Sequence, residues 1–157
     1  MIERILVAVD DSADSLAAVR TTLALAAPLG AQVLAVHVLT DHEVDTALGQ
    51  VSGPAAPAGR AHSVNRVLSR VSAMGQASEV AVETAVLTGG AGSAILGRAG
   101  AWGADLVVIG RSARLATGEG YVGALTRHVL EFADRPTLVV PAGRVERGDV
   151  RRHRDIR

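Results

Sequence analysis

The sequence predicts an α/β domain built on a doubly wound, five-stranded parallel sheet. Three observations predict it. The chain has 157 residues, the size of one globular domain with a real core. Short apolar runs alternate with longer segments of helical period, and each return to a parallel strand needs a right-handed crossover. The first run, RILVAV, is apolar almost throughout, as in strands covered by helices on both faces. The expected strand order is 3-2-1-4-5, in one domain over residues 1–143 with no internal repeat.

The elements follow in order. Arg4–Val9 is the first strand. Asp11 or Ser12 then caps a helix running to about Ala27, with Leu16, Val19, Leu23 and Ala27 on one stripe and Pro28 and Gly30 marking its end. Gln32–Leu39 (QVLAVHVL) is the second strand. Thr40–Arg60 carries Gly49, Gly53, Pro54, Pro57 and Gly59 and is expected to be a surface loop, of a length that is usually functional or disordered. His62–Met74 is a helix with Val64, Val67, Leu68, Val71 and Met74 on one face, and Gly75 beyond it. Glu79–Leu87 alternates as a strand near a sheet edge. Gly89–Gly92 breaks the chain, and Ser93 opens a short helix with Ile95, Leu96, Ala99 and Trp102 inward. Asp105–Ile109 is the fourth strand, ending at Gly110. The segment RSARLATGEGYV leads to a helix over about Gly123–Ala133, with Leu125, Val129 and Phe132 inward. Thr137–Val140, between Pro136 and Pro141, is the fifth strand. Residues 144–157 hold six Arg and three acids and are expected to form a solvated, disordered tail; the alternative is a docking arm for acidic partners.

Composition removes several chemistries. Sixteen basic residues, all Arg, balance sixteen acids, so no net field draws the chain onto nucleic acid or anionic lipid. Without Lys or Cys there is no Schiff-base or P-loop lysine, no thiolate nucleophile, no disulfide and no Cys-bound metal. Trp102, Tyr121 and Phe132 are the only aromatics, too few for a base-stacking platform. The opening MIERILVAVDDS lacks the pattern of a signal peptide, and no apolar stretch approaches the roughly 20 residues that span a bilayer. A cytoplasmic protein without membrane or nucleic-acid partners is expected.

Ligands of such sheets sit beyond the carboxyl ends of the strands, at the switch point, here between the first and fourth strands. Val9-Asp10-Asp11-Ser12 and the segment from Gly110 meet there. Gly110, Gly118, Gly120 and Gly123 precede a helix start, and together these make an anion cradle that needs no lysine. Gly118-Glu-Gly120-Tyr-Val-Gly123 matches G-x-G-x-x-G, but it lies past the fourth strand, not directly after the first, and Glu119 would repel phosphate unless it points outward. A plain surface loop with helix-start glycines is the other reading. Asp10 can accept from ribose hydroxyls or help hold a metal; alternatively Asp10 or Asp11 only caps the helix, a task that needs one of them. Arg111 and Arg114 are placed to meet phosphate, or are solvated surface residues. None of His37, His42, His62, His128 and His153 pairs at i, i+4 as a metal-binding helix would. His37 is read as a satisfied, buried or half-buried histidine. His42 with Asp41, Glu43 and Asp45 is a candidate ion site or a solvated acidic loop. No G-x-S-x-G elbow supports a hydrolase triad of Ser12, Asp10 and His37.

The segments ILVAVDDSADS, QVLAVHV, GGAGSAILGRAGAWGADLVVIGRS and VGALTRHVLEFADRPTLVVP resemble the universal stress protein family, from Met1 to about Pro141. In nucleotide-binding members a G-x2-G-x9-G-[ST] pattern after the fourth strand binds phosphates and ribose. The first-strand Asp and the backbone ending the second strand hold ribose and adenine. The resemblance places Gly110 and Gly123 as the first and third glycines with the spacing intact, Asp10 as the acid, and Val38 at the adenine. Ala113 stands for the second glycine and Ala124 for the final Ser or Thr. Ala8, Val9, Arg111 and Leu125 complete the candidate cofactor-binding set. A methyl at Ala113 is tolerated at negative φ and strained at positive φ. At Ala124 a hydroxyl is lost, which would weaken binding by about 1.5–3 kcal/mol, with Ser112, Thr117 or Thr126 as candidate substitutes. The resemblance thus implies a small regulatory protein that binds ATP, with or without Mg, without turning it over. It also implies a homodimer paired through the edge of the fifth strand. The alternative is a dimeric interaction module of the same fold that binds no nucleotide, as the two alanines suggest.

Overall fold

A computed structural model describes residues 1–39, 57–111 and 122–142, with the backbone alone over 57–63. Its elements are β1 (Arg4–Ala8), α1 (Ala13–Leu29), β2 (Gln32–Leu39), α2 (Pro57–Ala77), β3 (Val82–Thr88), α3 (Ala91–Trp102), β4 (Leu106–Gly110), α4 (Ala124–Phe132) and β5 (Thr137–Val140). The strands form one five-stranded sheet in the order β3-β2-β1-β4-β5, and every neighbouring pair is parallel. This is the expected fold and order, with the switch point between β1 and β4.

Side-chain alternation divides the core between the two faces of the sheet. Ile5, Val7, Val33 and Ala35 pack with Val19 and Leu23 of α1 and Leu68 and Val71 of α2. Leu6, Leu34, Val36, Val107 and Ile109 pack with Ile95 and Ala99 of α3 and Val129 of α4. Both faces of the central strands are therefore dry, the physical reason that their sequence shows no polar alternation. At the amino ends of the strands, Asp105 Oδ2 accepts from the N–H groups of Glu3 (2.8 Å) and Arg4 (2.9 Å). These two bonds hold its carboxyl below the ordinary carboxylate value. Arg135 Nη1 donates to the carbonyls of Ala99 (2.9 Å) and Ala104 (3.0 Å), so the close of α3 is tied to the entry of β5.

The helices depart from expectation in five places. The buried stripe of α1 runs through Ser15, Ala18, Val19, Thr22, Leu23 and Ala26, whereas Ala27 is exposed and Leu16 half-buried. Pro28 falls inside the last turn, and of the two expected stops it is the left-handed Gly30 (φ 63°) that closes the helix. α2 already begins at Pro57, inside the stretch expected to be loop, because the first helical position tolerates a residue without an N–H. It also runs past Gly75, where a Cβ would lie 2.4 Å from Val82 Cγ2, so the missing side chain lets α2 lie against β3. In α4 the inward face is Leu125, Thr126 and Val129; Phe132 is 60% exposed. No helix among the described residues is long and apolar enough to cross a membrane. Residues 40–56 and the 144–157 tail, with the expectations placed on them, lie outside the described residues.

Candidate functional site

Beyond the carboxyl ends of β1, β2 and β4 lies an open cavity of about 580 Å³, between α2 on one side and the starts of α1, α3 and α4. That volume is typical of small-molecule sites, roughly 300–1,000 Å³. Of the sequence-predicted residues, Ala8, Val9, Asp10, Val38, Gly110 and Leu125 line it. Arg111, Gly123 and Ala124 sit nearby at the end of β4 and the start of α4 but are not part of its wall. Ala113 lies outside the described residues. So do Ser112, Arg114, Thr117, the glycine-loop residues Gly118, Glu119, Gly120 and Tyr121, and the acidic cluster around His42.

Asp10 leaves the sheet two residues after β1 ends. Its N–H donates to Ser15 Oγ at 2.8 Å, and its Oδ1 accepts from the Ser12 N–H at 2.8 Å. This is an Asx turn, which bends the chain from strand into helix. Ser12 is the N-cap: its Oγ accepts from the Ser15 N–H at 3.1 Å. The acids are thus relieved of capping, and both Asp10 and Asp11 border the cavity.

Gly110 has a structural reason to be glycine. A Cβ there would lie 2.7 Å from the carbonyl carbon of Asp14 and 2.8 Å from the nitrogen of Ser15. The first turn of α1 therefore lies backbone-to-backbone against the end of β4. The buried Asp14 carboxylate in that turn accepts from the Ala142 N–H just after β5. On the other side, Thr126 Oγ1 donates within a pair of carbonyls, Gly110 O at 3.1 Å and Arg111 O at 3.3 Å, and Thr126 is fully buried. Thr126 is therefore committed to docking α4 and does not replace the hydroxyl missing at Ala124. The N–H of Gly123 donates to Arg111 O at 3.3 Å, and Arg111 Nε is buried with no partner among the described residues.

His37 is half-buried and satisfied, as expected: its Nδ1 lies 2.8 Å from Val9 O. The ring is turned to that carbonyl and not to Asp10 or Ser12, so no hydrolase triad forms. His37, Leu39, Val64, Asn65, Val67, Val86 and Ile95 also line the cavity and were not anticipated there. Val64, Val67 and Ile95 were visible in the sequence as inward helix positions, but periodicity does not reveal that the ends of their helices reach the open end of the sheet. Among the described residues no group of three His, Asp or Glu side chains is arranged to hold a metal ion.

A doubly wound parallel sheet with an open cleft at its switch point defines an α/β ligand-binding architecture. The universal stress protein family model matches residues 1–141, and the chain belongs to that family. No curated protein sequence matches it. Among solved structures, a universal stress protein family member from Burkholderia pseudomallei shares 23% identity at a TM-score of 0.68, covering 90% of this chain and 97% of that one. The universal stress protein from Archaeoglobus fulgidus in complex with dAMP shares 19% at 0.64, covering 89% and 98%. A family member from Arabidopsis thaliana with AMP bound shares 18% at 0.63, covering 92% and 94%. At these identities the likeness is one of fold.

Proposed function

We propose that the protein binds an adenine nucleotide in this cavity and acts as a cytoplasmic, non-enzymatic regulatory protein. The observation that carries this reading is that the space between Asp10 and Gly110 is open and, among the described residues, no side chain fills it. The cavity wall mixes acids and apolar residues in a way that suits a nucleotide. Asp10 and Asp11 offer acceptors for ribose hydroxyls, and Val38, Leu39, Val67 and Val86 offer apolar surface for a flat base. Phosphates would run past Gly110 toward Gly123 and the start of α4, where N–H groups and the helix dipole favour an anion. The residues described fit the nucleoside half of ATP; Mg would travel with its phosphates. The dAMP and AMP complexes of the two relatives support the same ligand class.

Calorimetric titration with Mg-ATP, ADP and AMP tests this. Binding is expected in the wild type, and Asp10→Ala is expected to weaken it about 10- to 100-fold, the worth of a hydrogen bond to a charged group. No heat and no melting shift up to millimolar nucleotide would end the reading. In its place would stand a dimeric interaction module without nucleotide. That second reading draws on Gly110 and Thr126, because the packing of α1 and α4 accounts for both without any phosphate. Under either reading we propose a homodimer joined at the outer edge of β5.

A further inference from the structure

We infer that His37 selects the base, its Nε2 accepting a hydrogen bond from the 6-amino group of adenine; the inference rests on the adenine-nucleotide reading above. Val9 O, 2.8 Å from His37 Nδ1, is a carbonyl and can only accept. Nδ1 therefore carries the proton. In the neutral ring that leaves Nε2 as a bare acceptor, since a single imidazole proton cannot serve both nitrogens. The ring lines the cavity, and no described residue donates to Nε2. The bond to Val9 thus fixes the tautomer, and Nε2 belongs to a residue that lines the site and is left without a donor among the described residues. A ligand with its ribose at Asp10 and its phosphates toward Gly110 would lay its base against Val38, Leu39 and Val67, which line the cavity together with His37. The complement of a bare acceptor is a donor. Adenine carries one at position 6, guanine and hypoxanthine carry an oxygen there, and unsubstituted purine carries neither.

The test compares ATP with purine riboside triphosphate, which differs only in lacking the 6-amino group, on the wild type and two variants. His37→Asn keeps a donor at the place of Nδ1, and so the bond to Val9, but has no acceptor at the place of Nε2. His37→Gln has an acceptor near Nε2 but loses the bond to Val9. The wild type is expected to prefer ATP about tenfold, one neutral hydrogen bond. His37→Asn is expected to abolish the preference and His37→Gln to retain much of it. A purely structural role for His37 predicts the reverse order, and that result overturns the inference, as does equal binding of both nucleotides by the wild type. Should the variants fail to fold, 15N-histidine-labelled wild type decides. The Nε2 resonance is expected to shift with ATP and not with purine riboside triphosphate, and an Nε2 signal that stays put with bound ATP overturns the assignment. A wild type that binds neither nucleotide removes the adenine reading itself.

Discussion

Gly110 shows how a residue that fits a ligand pattern can answer first to packing. Its missing Cβ makes room for the main chain of Asp14 and Ser15, which cannot swing aside as a side chain would. Gly110→Ala is therefore expected to cost about 1–3 kcal/mol or more through overpacking, read as a lower midpoint in urea unfolding. A fall of that size with no nucleotide present would separate the structural demand at this position from any demand of a ligand. Asp105 carries a different signal. Two backbone N–H groups favour its ionised form, so its pKa in the folded chain lies below the ordinary 3.8. A depressed carboxylate stabilises the fold above the ordinary value, and that contribution disappears as the pH falls through the folded value. Asp105→Asn is thus expected to flatten the loss of stability below about pH 4, measured by unfolding over a series of pH values. Asp10 was legible because it stands where an apolar run ends at the expected switch point. His37 was legible as a satisfied histidine. Its exposure to the cavity was not, since that depends on where α2 comes to lie.

At the scale of elements, the joint between β4 and α4 is tied by one hydroxyl, beside the bond from the Gly123 N–H to Arg111 O. Thr126 Oγ1 bonds two successive carbonyls, Gly110 and Arg111, in a fully buried position. Thr126→Val keeps the shape and removes the donor, and is expected to lower stability by about 1–3 kcal/mol, the cost of taking the hydroxyl donor from the part-buried Gly110 carbonyl, while Arg111 O keeps the Gly123 N–H. A smaller change would mean that water takes over the Gly110 carbonyl. Two strands were readable to the residue: β2 and β5 fall at Gln32–Leu39 and Thr137–Val140, as the sequence implied, whereas β3 runs Val82–Thr88 where Glu79–Leu87 was expected and β4 runs Leu106–Gly110 where Asp105–Ile109 was expected. α1 slipped by one position because its Ala-rich sequence offers little contrast between faces. Ala26 is buried and Ala27 is not, and only the neighbouring sheet decides between them. The start of α2 was hidden because Pro57 and Gly59 look like loop punctuation, although proline suits the first turn of a helix.

For the whole molecule, both ends of the sheet are edges, and β5 is the shorter at four residues, most of them half-buried. Pairing through that edge predicts sedimentation at twice the chain mass of 16.1 kDa at micromolar concentration; a single-copy profile would count against it. The order of the strands was legible because each βαβ unit has one permitted hand. The cavity's far wall was not, because no local pattern states how helix ends converge. The bond from Asp14 to Ala142 spans 128 positions of the chain. While the protein is being made on a ribosome, the residues of the helix that follows the first strand emerge long before the Ala142 N–H that Asp14 accepts from. The Asp10 turn can form from its own neighbours, but the first turn of α1 gains its tie to the far end of the chain only after the fifth strand has emerged, so this domain is fastened last near the place where its synthesis began.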